Sequence, residues 1–576
     1  MRFIPLTLTL ISSMAFGSQP TPFPTEAETS GQQFMVSATN PYVSSTGYQI
    51  LKNGGNAIDA MVAMQMVMSV VEPDMTGIGG GTFALYYDNQ TQRFQALDGR
   101  EEAPLSATPD MFMEQGNPIT RNQTLGPRSV AIPGTLKLLY DTHQAHGELA
   151  WAELLQPAIT LASQGYAMNS YTYDIVVREQ ERLINDPEMQ NMYWVDGHIK
   201  PTGTLMRNPD IAHTLKMIAQ HGDSYLYGGE FGQRIVKTVN QQIPDGKAKL
   251  SIEDFEEYRV KQRDVIETNY NNHKIVSFGY PASGGMMVSQ TLGLLAPFEL
   301  SQMGKTEAEP WRLMTEAMRI SKADRISYAG DPDYVDIPQQ TLLDKHYLDQ
   351  RRHLIPNKGV QTSEPASTYL LEINPAQYQG FESKDTGHIS IVDKKGNAIA
   401  MTSTIGTGMG AGIMVDGVVL NAQMANFSPV PSIDGKPVQN AIAAGKRPRS
   451  AITPLMMLDE QQQLRLVIGS PGSSQIPGYV LKTLIGMIDW NLSAQDAIDL
   501  PNIQYGTKID RTQSDDPSGL LVEKKTYAEM LVPEFIEQGY PVEVLPMVSG
   551  LNAIEIKNGK ITGASDRRRA SSSMGE

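Results

Sequence analysis

Residues 385–404, Asp385-Thr386-Gly387-His388-Ile389-Ser390-Ile391-Val392-Asp393-Lys394-Lys395-Gly396-Asn397-Ala398-Ile399-Ala400-Met401-Thr402-Ser403-Thr404, read as two strands joined by a tight turn. Centring the turn on Lys395 sets Thr386 opposite Thr404, His388 opposite Thr402, Ile389 opposite Met401 and Ile391 opposite Ile399. Successive strand side chains point to opposite faces, so one face of this hairpin is apolar and the other carries hydroxyls and an imidazole. Solvation alone accounts for a polar face. Two threonines meeting beside a histidine also suit a nucleophile with hydrogen-bonding neighbours. A threonine hydroxyl needs a base to take its proton, and the residue's own α-amine, with a reference pKa of roughly 7.7–8.0, serves once it heads a chain. No Gly-x-Ser-x-Gly elbow offers another route.

The rest of the chain narrows the chemistry by exclusion. Without cysteine there are no disulfides, thiolate metal sites or cysteine nucleophiles. The nine histidines are scattered, and the closest pair, His143 and His146, lacks the acidic partner of a zinc-protease helix, so neither metal nor other cofactor is expected. A net charge of -16 disfavours nucleic acid and anionic lipid, leaving small molecules or peptides as partners. The Arg567-Arg568-Arg569 run reads as a solvated tail.

At 576 residues the chain is a large assembly or two closely packed parts. Residues 1–17 have the charge, apolar run and small residues of a secretory signal. Residues 18–31 read as a flexible leader, with folding from about Gln32 onward. No segment is apolar enough over about 18 residues to span a membrane, so a periplasmic or secreted protein is expected. Asn56 to Val71 reads as a mostly buried helix capped by Asn56 and ended at Glu72-Pro73. Gly77-Ile78-Gly79-Gly80-Gly81 follows a helix and precedes a strand, the reverse of a phosphate loop, and is read as a tight turn. From 134 to 350, helix-like segments alternate with Gly/Pro turns.

The Asp385–Asp393 segment, with Gly396-Asn397-Ala398 and Thr402-Ser403-Thr404-Ile405, resembles the processing site of γ-glutamyltranspeptidases, which are N-terminal-nucleophile hydrolases. Further blocks fall in the order found in that family: Gly54–Ala60, Val71-Glu72-Pro73, Leu97-Asp98-Gly99-Arg100-Glu101, Ser283-Gly284-Gly285, Lys446-Arg447-Pro448, Gly469-Ser470-Pro471-Gly472 and Gly563-Ala564-Ser565-Asp566. The resemblance implies a mixed α/β fold, the four-layer αββα sandwich. It also implies a precursor cut between Asp385 and Thr386 into a large subunit, 32–385, and a small one, 386–576, both within one domain. Thr386 would attack a γ-glutamyl amide such as that of glutathione, and water or an amino-acid or peptide acceptor would resolve the acyl-enzyme. By the same likeness Thr404 hydrogen-bonds the nucleophile, Gly472 and Ser473 supply oxyanion N–H groups, Arg100 and Ser450 meet the substrate α-carboxylate, and Gln423 lies at the α-amino end.

At three positions the chain departs from the family pattern. Asn426 stands where an acidic residue is usual, Gly406 where asparagine is, and Ala451 where a second serine is. The stretch between Ser428 and Lys446 is shortened and has no tyrosine. Asn426 brings no charge to an ammonium. Two alternatives therefore stand beside the γ-glutamyl reading: a glutaryl or cephalosporin-type acylase, and an inactive periplasmic binding protein.

Overall fold

Two seven-stranded antiparallel sheets lie face to face in the computed structural model, which describes residues 28–243, 248–357, 375–376, 385–506 and 519–576. The first sheet runs Lys261–Arg263, Arg93–Gly99, Gly81–Asp88, Ala398–Thr404, Gly387–Val392, Met35–Ala38, Ser572–Gly575. The second runs Glu28–Gly31, Lys560–Ser565, Asn552–Lys557, Leu464–Gly469, Leu455–Leu458, His273–Phe278, Val265–Tyr270. Alternation along the strands divides the first sheet cleanly. Val36, Ala38, Ile389, Ile391, Ile399 and Met401 join a core shared with the helices Pro41–Lys52 and Ala57–Val71. Phe83, Leu85, Val392, Ala398 and Ala400 join a second core, formed with the facing sheet and the helices Ser283–Leu295, Ala308–Tyr328 and Ile476–Ile488. Helix, sheet, sheet and helix thus stack in the four layers expected.

The Ala57–Val71 helix is buried at every position, as its nearly unbroken apolar sequence requires. Its start is fixed by the Asn56 side chain, which accepts from the N–H groups of Ile58 and Asp59 while Asp59 returns a bond to the Asn56 N–H. The one amide on this helix, Gln65, is satisfied by Ser403 and Thr76. The glycine run then turns into Gly81–Asp88, which pairs directly with Ala398–Thr404. A Cβ on Gly80 would lie 2.2 Å from the Thr404 carbonyl oxygen. Close backbone approach to the hairpin, with no phosphate role, accounts for glycine there.

The order of the chain begins earlier than Gln32. Glu28–Gly31, assigned from sequence to the leader, is an edge strand paired with Ile561–Ala564. Residues with few apolar anchors can still pair through their backbone at a sheet edge. The expected signal, 1–17, and the leader to residue 27 lie outside the described residues. Among the described residues no helix is long and apolar enough to cross a membrane.

Candidate active site

Cross-strand pairing follows the register read from sequence: His388 faces Thr402, Ile389 faces Met401 and Ile391 faces Ile399, with Gly387 opposite Ser403. Thr386 lies one residue before this strand, buried, and its hydroxyl has no hydrogen-bond partner among the described residues. Leaving a buried hydroxyl unpaired costs about 1–3 kcal/mol, so packing alone does not favour threonine here. Across the hairpin, the Thr404 hydroxyl donates to the main-chain oxygen of Asp385 at 2.7 Å and accepts from the Gly406 N–H at 2.9 Å. Gly406, at φ +98°, thus supports Thr404 through its backbone. In the uncleaved chain the Thr386 nitrogen is an amide, so the α-amine base does not yet exist.

The polar face of the hairpin is not solvated; it is buried between the two sheets. His388 is fully buried and takes no part at Thr386: its ring bonds Thr402 through Nδ1 at 2.7 Å and Ser390 through Nε2 at 3.0 Å. Ser390 gives its own proton to the Asn552 carbonyl, so it accepts from Nε2–H, and Thr402 donates to Nδ1. Burial pushes the imidazole down to about 3, which holds it neutral.

Gly472 and Ser473 both sit at positive φ, +135° and +61°. Ser473 thus holds a left-handed backbone, at a cost for a side-chain-bearing residue of about 1–2 kcal/mol. Neither N–H donates to another described residue, and Ser473 borders the cavity at Thr386. Their availability in this half-buried turn suits stabilisation of a developing oxyanion.

Thr386, Asn426, Ser450, Ala451 and Ser473 line one cavity together with two isoleucines. Its volume is about 10 Å³, room for little more than a water. Arg100 and Gln423 do not reach it. Arg100, completely buried, donates to the carbonyls of Pro448 and Arg449 and pairs with Glu101 at 3.3 Å. Burial raises the Glu101 carboxyl to about 7, opposed by Arg100 and by the Gln423 amide beside it. The two residues expected at opposite ends of a substrate therefore meet around Glu101, which sequence reading quoted in a motif and gave no role. Ser450 lines the cavity, its main chain bonded to Ser283 and Pro281.

A second group of residues that sequence reading missed surrounds Asp385. Its carboxylate accepts from Tyr171 at 2.9 Å and from Arg178 at 3.3 Å. Arg569 stacks on the Tyr171 ring with its guanidinium carbon 4.4 Å from the centroid. The arginine run is thus not a solvated tail as a whole: Arg567 is exposed, whereas Arg568 pairs with Glu523 and Asp566 and Arg569 packs beside the candidate cleavage site. Composition gave no sign of the group around Asp385, because Tyr171 and Arg178 lie 214 and 207 residues from it and Arg569 lies 398 residues from Tyr171.

The stacked sheets with a threonine heading an inner strand are the architecture of the N-terminal-nucleophile hydrolases. The fold superposes on the crystal structure of cephalosporin acylase from Bacillus halodurans with a TM-score of 0.83, covering 97% of this chain and 98% of that one at 23% identity. The profile of the family described as Gamma-glutamyltranspeptidase matches residues 43–576, and the chain belongs to that family. It is 31% identical to a glutathione hydrolase proenzyme of Bacillus subtilis (strain 168), over 95% of this chain and 92% of the relative. It is also 31% identical to the acylase ACY 1 proenzyme of Pseudomonas sp. (strain SE83), over 93% and 92%.

Proposed function

We propose that this protein is a γ-glutamyl hydrolase or transpeptidase that matures by cutting its own Asp385–Thr386 bond and then uses Thr386 to open the γ-glutamyl amide of glutathione and related compounds. The carrying observation is the buried, unpartnered Thr386 hydroxyl beside an Asp385 carbonyl held by Thr404. Cleavage turns the Thr386 amide into an amine, the base its hydroxyl lacks. That amine takes the hydroxyl proton as Oγ attacks the amide carbon. The N–H groups of Gly472 and Ser473 receive the oxyanion, and the proton passes to the departing amine. Water or an acceptor amine then takes the acyl group, restoring the hydroxyl.

In this reading the large subunit ends at Asp385 and includes the edge strand Glu28–Gly31, and the small one spans 386–576. Arg100 and Ser450 serve the α-carboxylate, and Gln423 and Asn426 the α-amino end. The cavity at Thr386 has a volume of about 10 Å³, far below the roughly 300 Å³ of a small-molecule pocket. Export by the N-terminal signal would place the enzyme in the periplasm or outside the cell.

A second reading, a glutaryl-type acylase, is favoured by the uncharged Asn426 at the cavity wall. N-terminal sequencing of the smaller fragment, combined with p-nitroaniline release from γ-glutamyl and glutaryl anilides, separates the possibilities. A fragment beginning at Thr386 and faster γ-glutamyl turnover are expected. Faster glutaryl turnover would overturn the donor, and a single uncut chain would overturn both enzymatic readings in favour of a binding protein. Thr386→Ala should leave the chain uncut.

A further inference from the structure

The carboxylate of Asp385 is held as closely as its carbonyl. Its side chain is 3% exposed, and its two oxygens are divided between Tyr171 Oη and Arg178 Nη2, at 2.9 and 3.3 Å. Tyr171 and Arg178 occupy one helix, Ser170–Leu183. Their spacing of two turns brings them to the same face. The helix is itself fixed at the site. Thr172 donates to Asp74 at 2.8 Å, and Arg182 donates to the carbonyls of Gly408 and Gly410, just beyond Thr404, at 2.8 and 2.9 Å. Arg569 donates to Tyr171 Oη at 3.2 Å, so the phenol accepts from a cation while its own proton goes to Asp385. A phenol polarised in this way is a stronger donor.

Asp385 is therefore fixed at two points by separate parts of the chain: the carbonyl by the hairpin, the carboxylate by the Ser170–Leu183 helix. Two anchors on one residue fix the plane of its peptide bond relative to the Thr386 hydroxyl, as an intramolecular attack requires. We propose that Tyr171 and Arg178 are positioning residues for maturation, which select an acidic residue before Thr386 and hold the scissile carbonyl in line with its nucleophile. The inference rests on the cleavage proposed above. In that step Thr386 Oγ attacks the Asp385 carbonyl carbon, the C–N bond breaks, and the hydroxyl proton passes to the freed amine. Water then hydrolyses the resulting ester, giving the Asp385 α-carboxylate and regenerating the Thr386 hydroxyl.

The test follows cleavage of freshly synthesised full-length chain on denaturing gels for wild type, Arg178→Gln, Arg178→Lys, Tyr171→Phe and Asp385→Asn, alone and combined with Arg178→Gln. Loss of one charge-assisted bond predicts maturation slowed by about tenfold in Arg178→Gln and Tyr171→Phe. Arg178→Lys should recover part of the rate. Once Asp385→Asn has removed the charge, Arg178→Gln should slow cleavage no further. To read folding separately, the same Arg178 and Tyr171 changes are placed in an uncleavable Thr386→Ala chain, where the drops in melting temperature should be small and should not rank with the losses in cleavage rate. Wild-type rates in Arg178→Gln and Tyr171→Phe, equal rates for the lysine and glutamine variants, full additivity with Asp385→Asn, or slow maturation tracking a lowered melting temperature would each overturn the proposal. If the wild-type chain gives no fragment beginning at Thr386, the functional reading fails first, an outcome distinct from all of these.

Discussion

The Thr404 hydroxyl donates a 2.7 Å hydrogen bond to the carbonyl oxygen of Asp385, the oxygen of the peptide bond that leads into Thr386. A donor there draws charge from the carbonyl and makes its carbon more open to attack, an effect that grows as the oxygen becomes an oxyanion. Thr404→Val keeps the shape of the side chain and removes the donor. Maturation should slow by about tenfold to a hundredfold, the equivalent of about 1.5–3 kcal/mol for a bond to a charged group. Thr404→Ser should stay near wild type. Gel time courses of the three proteins decide it; equal rates for valine and serine would leave Thr404 a packing residue.

The turn at Gly472-Ser473 yields opposite expectations for its two positions. Ser473 already holds φ +61°, where glycine rests without strain, so Ser473→Gly keeps the N–H and should leave turnover and melting temperature close to wild type. Gly472 is at φ +135°, and a Cβ there would come within 2.5 Å of the Tyr479 ring. Gly472→Ala should therefore destabilise the protein by about 2 kcal/mol or more and reduce turnover with it. Thermal melts and anilide assays of the two variants check both statements.

His388 sets an acid limit on stability. Its ordinary value is 6.5, and burial between the sheets takes it down to about 3 in the folded protein. Above 6.5 the ring is neutral in both states. As pH falls from 6.5 towards 3, the unfolded chain takes up a proton that the folded one refuses, and stability is lost at about 1.4 kcal/mol per pH unit from this group. His388→Gln removes the titration. Denaturant melts at about pH 7 and about pH 5 should show the variant losing less than wild type by about 2 kcal/mol. Parallel losses would contradict this role for His388.

What could be read from sequence and what could not divides along the range of the interactions. The hairpin register was legible because strand alternation and a short turn fix it within twenty residues, and the Ala57–Val71 helix because its apolar run and Asn56 cap are local. Thr386, Asn426, Ser450 and Ser473 line one cavity. The absence of Arg100 from that cavity's lining, and its pairing with Glu101, depend on how buried charges find partners, which no spacing encodes. Tyr171, Arg178 and Arg569 were invisible for the same reason. Each reaches Asp385, or a residue touching it, from 207 to 398 residues away along the chain. The edge strand Glu28–Gly31 escaped because backbone pairing asks nothing of side-chain hydropathy.

Asn426 is the position at which donor choice should be adjustable. It lines the cavity at Thr386, where a substrate ammonium would need an acceptor, and its carboxamide offers a neutral one. A neutral acceptor contributes about 0.5–1.5 kcal/mol and a charged one about 1.5–3, so Asn426→Asp should strengthen ammonium recognition by roughly 1 kcal/mol. A glutaryl donor has no ammonium to meet the same carboxylate, so the added buried charge gains nothing from that donor and weakens its binding. The two effects act in opposite directions on the two anilides. Their ratio of kcat/KM should therefore shift towards γ-glutamyl by at least about fivefold. Glutaryl turnover should fall in absolute terms. A ratio unchanged by the substitution would mean that the α-amino end of the donor lies elsewhere, with Gln423 and Glu101 as the next residues to alter.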